Sequence, residues 1–311
     1  MDPHIKAMID EQAAAAAAQP MPPLDALPPE MIRAGYRMQR QAQNQNAPKD
    51  VEARDLEVAG AEGPIPARLY TPAGAGPVTP GLVYFHGGGF AIGDLETHDG
   101  HCRRMAAYAG CRVLAVDYRL APEHPFPAGH DDALAATKWA FDHAAEIGFD
   151  PTRIAVGGCS AGGNLAASVS IDLKNDPARR LAFQLLLYPG IWPDEETQSR
   201  KDLDGPVLTK AAIAWFDKCL AAAGHPQAHR ANLGSKAEVA GTPPALVVTA
   251  GYDPLKDEGR DYAARLNAAG VKAEHVEYPN LVHDFYIMGD VSPAVEAAAR
   301  ETAAKLKAAL G

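Results

Sequence analysis

The chemistry in this chain starts from one serine. Gly157-Gly158-Cys159-Ser160-Ala161-Gly162-Gly163 sets Ser160 between glycines two positions away on either side. An apolar run at 154–156 precedes it, and a helical pattern beginning Asn164-Leu165-Ala166-Ala167 follows. Gly-x-Ser-x-Gly between a strand and a helix makes a nucleophile elbow, a turn too sharp for bulk beside the serine. Gly158 and Gly162 meet that demand. The turn would lift the hydroxyl above the sheet edge, at a helix N-terminus that favours developing negative charge. The same pattern also occurs as a plain glycine-rich connection, so its partners elsewhere in the chain decide.

Those partners are present. After an apolar run at 82–85 comes His86-Gly87-Gly88-Gly89-Phe90. Three glycines there leave backbone N–H groups approachable, as a tetrahedral oxyanion requires. Gly87, Gly88 and Gly89 are the candidate donors, with Ala161, the residue after the nucleophile. A phosphate loop would carry Lys-Ser/Thr after the glycines, and Phe90-Ala91 is not that. A serine elbow is followed in chain order by the acid and then the histidine. A strand predicted at 245–249 runs into Asp253, and one at 271–278 runs into His283. Both fall past a strand's carboxyl end, where open parallel sheets place their sites. Asp257 and Glu258 rival Asp253 but read as the start of the next helix. His98 and His101 lack a third ligand at metal-site spacing, so no metal is expected. Phe90, Trp192, Leu208, Phe285 and Ile287 are the expected pocket walls, and such bulk predicts short acyl chains.

The elements that must position these groups follow a regular pattern. Runs at 51–58 and 65–70, flanking Gly60 and Gly63-Pro64, predict an antiparallel hairpin at a sheet edge. From Gly81 onward, strand-like runs at 82–85, 112–116, 153–156, 181–187, 245–249 and 271–278, the first of them continuously apolar, alternate with helical patterns. That predicts an α/β fold with a mostly parallel sheet covered by helices on both faces. Ser292-Pro293 opens a last helix. Two stretches break the rhythm. Residues 1–50 read as two short helices separated by Pro20, Pro22 and Pro23, which predicts cap helices over an apolar cleft. Residues 189–241 carry one predicted helix and no strand, the mark of a functional insertion, in which Trp215 and Phe216 either face a pocket or pack a helix. The expected division is 1–50 cap helices, 51–188 first part of the core, 189–241 cap insertion and 242–311 second part of the core.

Five stretches together resemble the bacterial hormone-sensitive-lipase-like (family IV) carboxylesterases. They are His86-Gly87-Gly88-Gly89-Phe90, residues 117–128 (Asp-Tyr-Arg-Leu-Ala-Pro-Glu-His-Pro-Phe-Pro-Ala), Gly158-Cys159-Ser160-Ala161-Gly162-Gly163-Asn164, residues 253–259 (Asp-Pro-Leu-Lys-Asp-Glu-Gly) and His283-Asp284-Phe285. The resemblance implies an α/β-hydrolase core with a helical cap, Ser160, Asp253 and His283 as a catalytic triad, and an oxyanion hole of Gly88, Gly89 and Ala161. It implies short-acyl esters as substrates, no cofactor, and a homodimer through the edge strand at 271–278. It treats 117–128 as structural. Two positions depart from the family: Cys159 stands where Asp or Thr is usual, and Asp284 where Gly is common. Cys159 also opens a second register, Gly157-x-Cys159-x-Ala161, for a thiol nucleophile as in dienelactone-hydrolase-like enzymes. An amidase or a specialised hydrolase would use the same triad.

Composition narrows the classes. The 311 residues are 47% hydrophobic with a formal net charge of -10, which allows a large core and argues against a nucleic-acid footprint. No apolar run is long enough for a membrane span, and the first residues do not read as a secretory signal. Four scattered cysteines fit reduced thiols, so a cytoplasmic protein is expected.

Overall fold

The computed structural model describes residues 1–19, 22–192, 196–235 and 237–311. Pro20 of the expected break and residues 193–195 and 236 of the expected insertion lie outside the described residues.

The chain opens with helices α1 (Pro3–Ala18) and α2 (Pro29–Ala42). Each starts with proline in its first turn, where the missing N–H costs no helical bond. Strands β1 (Glu52–Ala59) and β2 (Pro64–Thr71) pair antiparallel, as the hairpin pattern predicts. The alternating order then begins: β3 (Thr79–Phe85), α3 (Leu95–Ala109), β4 (Arg112–Val116), α4 (Ala128–Asp142), α5 (Ala144–Ile147), β5 (Phe149–Cys159), α6 (Ala161–Leu173) and β6 (Phe183–Leu187). Among the described residues, the expected insertion holds two α-helices rather than one, α7 (Gln198–Asp202) and α8 (Lys210–Leu220). Then come β7 (Ala245–Tyr252), α9 (Lys256–Ala268), β8 (Ala273–Val282) and α10 (Pro293–Leu310), the last capped by the Ser292 side chain.

The eight strands form one sheet in the order β1-β2-β4-β3-β5-β6-β7-β8, parallel from β4 to β8. Side-chain alternation divides the core. Leu82 and Tyr84 face one layer with α3 and α10, while Val83 and Phe85 face the other with α4, α6 and α9. Both faces are covered, which is why the central strands read as unbroken apolar runs. α3 is the element the sequence pattern hides. Thr97, His98, His101 and Arg104 are buried in it, so its inner face is not apolar.

The order also sets where a site can lie. β3 is flanked by β4 on one side and β5 on the other, so the connections from β3 and β5 leave in opposite directions and open a crevice at their carboxyl ends. Phe85 pairs with Gly158, which brings the loop after β3 beside the turn after β5. β8 starts two residues later than expected and runs four further, because its ladder with β7 extends to Tyr252 opposite Val282. Asp253 and His283 are therefore the first residues past two neighbouring strands.

Candidate active site

Ser160 has the backbone of a strained turn, φ 54° and ψ -116°, between β5 and α6. The glycines around it are required by contact. A Cβ at Gly158 would lie 2.3 Å from the Gly162 carbonyl oxygen, and one at Gly162 would lie 2.0 Å from the Phe85 carbonyl oxygen. Ser160 Oγ is 2.9 Å from His283 Nε2, and His283 Nδ1 is 2.7 Å from Asp253 Oδ2. Asp253 is fully buried, and its other oxygen accepts from the Leu255 amide at 2.8 Å. With a carboxylate at Nδ1, the imidazole carries its proton there and presents a lone pair to the serine hydroxyl. Burial pushes the His283 imidazole down, but Asp253 and Asp284 together outweigh it and hold it above its ordinary value.

The glycine loop meets this chain from the β3 side. Gly88 and Gly89 have positive φ, 116° and 58°, and both border the same cavity as Ser160 and His283. Among the described residues, no partner takes the amide hydrogens of Gly88, Gly89 or Ala161. Gly87 differs from expectation. Its N–H donates to His98 Nε2 at 3.2 Å, so it braces the loop and is not free to meet a ligand. His98 thus serves the loop, with its Nδ1 2.9 Å from Thr97 Oγ1. The 117–128 segment also braces the loop. Tyr118 donates to the His86 carbonyl at 2.8 Å and stacks on its ring, and the Ala121 amide donates to the Phe90 carbonyl at 2.8 Å.

Cys159 is fully buried, with its sulfur 3.3 Å from His98 Nε2 and not in the cavity. Burial first, and Asp284 next, push its thiol up to about 12. The second register therefore fails: the thiolate that would attack is neither formed at neutral pH nor exposed.

The cavity over Ser160 has a volume of about 290 Å³. Of the expected walls, Leu208 borders it, and Phe90, Trp192, Phe285 and Ile287 do not. The left-handed backbone at Phe90 (φ 61°) turns its ring into the core against His130 and Trp192. The Trp192 indole N–H is held by Asp217 of α8 at 2.6 Å. Phe285 packs against Tyr188, Tyr278 and Tyr286, and Ile287 is buried in the 3₁₀ turn Phe285–Ile287. That turn sends 285–287 inward and leaves Asp284 and Met288 at the cavity wall. Trp215 and Phe216 of α8 both border the cavity, and Phe216 lies where a Cβ on Gly89 would be. Tyr36 and Arg40 of α2 also border it. No local pattern marked these two, because a helix reaching the site from another part of the chain leaves no spacing signal near the triad.

Asp257 and Glu258 begin α9, as expected, but they also hold the insertion. Glu258 accepts from the Ile191 and Trp192 amides and pairs with Arg200, while Asp257 accepts from the Ser199 amide at 2.8 Å.

A strained serine elbow, a histidine–aspartate relay and a donor-lined loop, on a mostly parallel eight-stranded sheet, define an α/β-hydrolase. A family model described as alpha/beta hydrolase fold matches residues 82–287. The esterase LipI of Mycobacterium tuberculosis is 41% identical over 262 residues, covering 82% of each chain. Two solved structures are similar over nearly the whole length. An ester hydrolase, EH1AB1, from the metagenome of Lake Arreo has a TM-score of 0.92 at 38% identity, covering 98% of each chain. A hyperthermophilic esterase from Pyrobaculum calidifontis has a TM-score of 0.90 at 36% identity, covering 99% of this chain and 98% of its own. The chain belongs to the hormone-sensitive-lipase-like (family IV) carboxylesterases of this fold, enzymes that hydrolyse carboxylic esters.

Proposed function

We propose that this protein hydrolyses short-acyl carboxylic esters through an acyl-enzyme on Ser160. The observation that carries the reading is the continuous chain of contacts Ser160–His283–Asp253, at 2.9 and 2.7 Å. Ser160 Oγ attacks the ester carbonyl carbon, and its proton passes to His283 Nε2. Asp253 keeps the imidazole in its tautomer and stabilises the imidazolium. The free amides of Gly88, Gly89 and Ala161 receive the oxyanion, each worth on the order of 10²–10³ in rate. The bond to the alkoxy group breaks as His283 returns the proton to the leaving alcohol. Water then attacks the acyl carbon, gives its proton to His283, and the carboxylic acid leaves as Ser160 regains its hydrogen.

A cavity of about 290 Å³ is at the small end for a ligand site, and this supports short acyl groups. The bordering residues of α1, α2 and α8 support a cap made from residues 1–50 and 189–241 over the core of 51–188 and 242–311. β8 is a sheet edge, which supports pairing of two copies there. Four buried free cysteines support a cytoplasmic setting. The reading needs no cofactor, because serine, imidazole and backbone amides supply every group the steps use.

A panel of short-chain esters and matching amides, assayed with the wild type, Ser160→Ala and Cys159→Ala, tests the reading. Ser160→Ala is expected to lower ester kcat by about 10⁴-fold or more, and Cys159→Ala to stay within about threefold. Full activity in Ser160→Ala overturns it, and rates on amides equal to those on esters redirect it to an amidase.

A further inference from the structure

Asp284 stands beside the base in an unusual setting. Its backbone is left-handed (φ 64°), a conformation glycine occupies most freely. Here that freedom is exchanged for a carboxylate in the site. Asp284 Oδ1 lies 3.7 Å from His283 Nε2, the atom that faces Ser160. This is too long for a hydrogen bond but short for a charge interaction between two buried groups. Oδ1 has no hydrogen-bond partner among the described residues. The other oxygen, Oδ2, accepts from Tyr36 Oη at 3.1 Å and from Arg40 Nη2 at 3.3 Å, both on α2. Arg40 is itself buried, with its Nη1 donating to Gln43 at 2.8 Å.

We propose that Asp284, held by Tyr36 and Arg40 of the cap helix α2, is a positioning residue that stabilises the His283 imidazolium, so that the seating of α2 sets the acid limit of the reaction. The inference rests on His283 being the base of the proposed mechanism. As Ser160 gives up its proton, Nε2 becomes a positive N–H directly facing Oδ1. The Asp284 charge favours that state, and the Arg40 charge, on the far oxygen of the same carboxylate, opposes it. The groups around His283 are few. Asp253 faces Nδ1; Ser160 comes from the elbow, with Cys159 buried beneath it beside His98; Tyr188 lies with its ring 4.8 Å away after β6; Tyr36 and Arg40 come from α2. Burial drives Cys159, Tyr188 and Tyr36 upward, so they stay neutral in the working range. Asp253, Asp284 and Arg40 are left to carry the charge that His283 feels. Both Asp284 and Arg40 act on the imidazole, with opposite signs.

The pH dependence of kcat/KM for a short-chain aryl ester, in the wild type, Asp284→Asn, Arg40→Gln and the double variant, tests this. Asparagine tolerates the left-handed backbone and keeps an oxygen for Tyr36 and Arg40. The midpoint of the acid limb is expected to fall by about 0.5–1 pH unit in Asp284→Asn and to rise by about as much in Arg40→Gln. The double variant is expected to return close to the wild type. Loss of packing alone would not move the two midpoints in opposite directions. Shifts of the same sign, or no shift in either, overturn the proposal. If Arg40→Gln does not fold, NMR titration of the His283 ring in the wild type and Asp284→Asn decides, and an unchanged midpoint overturns it. His283→Ala separates this from the mechanism. Retained activity there sinks the base itself, whereas lost activity with unmoved limbs in the other variants sinks the role of Asp284 alone.

Discussion

In the proposed mechanism His283 must be neutral to take a proton from Ser160, and its surroundings work against neutrality. Burial pushes its pKa down, yet Asp253 at 2.7 Å and Asp284 together outweigh burial and raise it above the ordinary value of about 6.5. The protonated, inactive form therefore persists to higher pH than in a free imidazole. We expect kcat/KM to fall as pH drops through a midpoint above about 6.5. A rate that stays flat to pH 4 would exclude His283 as base. Cys159 is the other residue whose role follows from its surroundings. Its thiol, pushed up to about 12 and held beside His98, links the elbow to the loop that carries Gly87. Cys159→Ala removes one small buried group, so it is expected to cost about 1 kcal/mol of stability. Chemical denaturation measures that.

Two turns do the positioning work at the scale of elements. The one after β5 lets α6 begin at Ala161 with its N-terminus toward the cavity. It exists because Gly162 allows the Phe85 carbonyl to approach where a side chain would start. Gly162→Ala would put its Cβ 2.0 Å from that oxygen, which is backbone and cannot swing aside. Activity is expected to fall by about 10²-fold or more, with a loss of about 1–3 kcal/mol of stability. Ester assays and thermal unfolding on the same sample check both parts, and a fully active Gly162→Ala would show that the elbow has slack. The other turn, at 88–92, is closed by Ala91 and Ile92 donating to the Gly88 carbonyl. Its outer side meets Phe216 of α8, so that helix packs directly on the glycine loop.

Across the whole molecule, α8 and the loop before it set how much room the proposed acyl group would have. A cavity of about 290 Å³, bordered by Leu208, Trp215 and Phe216, is expected to give rates that peak at short acyl chains and fall about tenfold or more for long ones. Phe216→Ala is expected to move the peak to longer chains. An acyl-length series of aryl esters reads both, and a wild-type peak at long chains contradicts the size argument. The free edge of β8 makes a second whole-molecule expectation, a dimer formed across residues 273–282. Light scattering on the eluting species should return twice the mass of the chain; a monomer at every concentration would remove the edge-strand pairing.

Much of this protein is legible in its sequence, because the demands there are local. Gly-x-Ser-x-Gly needs small neighbours two residues away, a glycine run needs no partner to expose its amides, and a buried parallel strand must be apolar along its length. Those demands reveal Ser160, the 86–90 loop and the alternation of strands with helices, while the order of the strands in the sheet came from the fold. Chain order and strand ends point to Asp253 and His283. What the sequence could not decide is which way side chains turn where no period repeats. Phe90, Trp192, Phe285 and Ile287 are large and close to the site in number, yet a left-handed residue and a 3₁₀ turn send Phe90, Phe285 and Ile287 into the core, and an indole hydrogen bond holds the half-buried Trp192 toward Asp217 of α8. α3 stayed hidden because its buried face mixes Thr97, His98, His101 and Arg104 with apolar residues, which breaks the apolar period. Gly87 could not be told from Gly88, since only the fold brings His98 to its amide. Tyr36 and Arg40 reach Asp284 across more than 240 residues of chain. The reading of Ser160 as the reacting group thus comes from short-range sterics together with the chain order of Asp253 and His283, whereas the walls of its cavity and the charges around the proposed base were settled by tertiary packing, which no local pattern encodes.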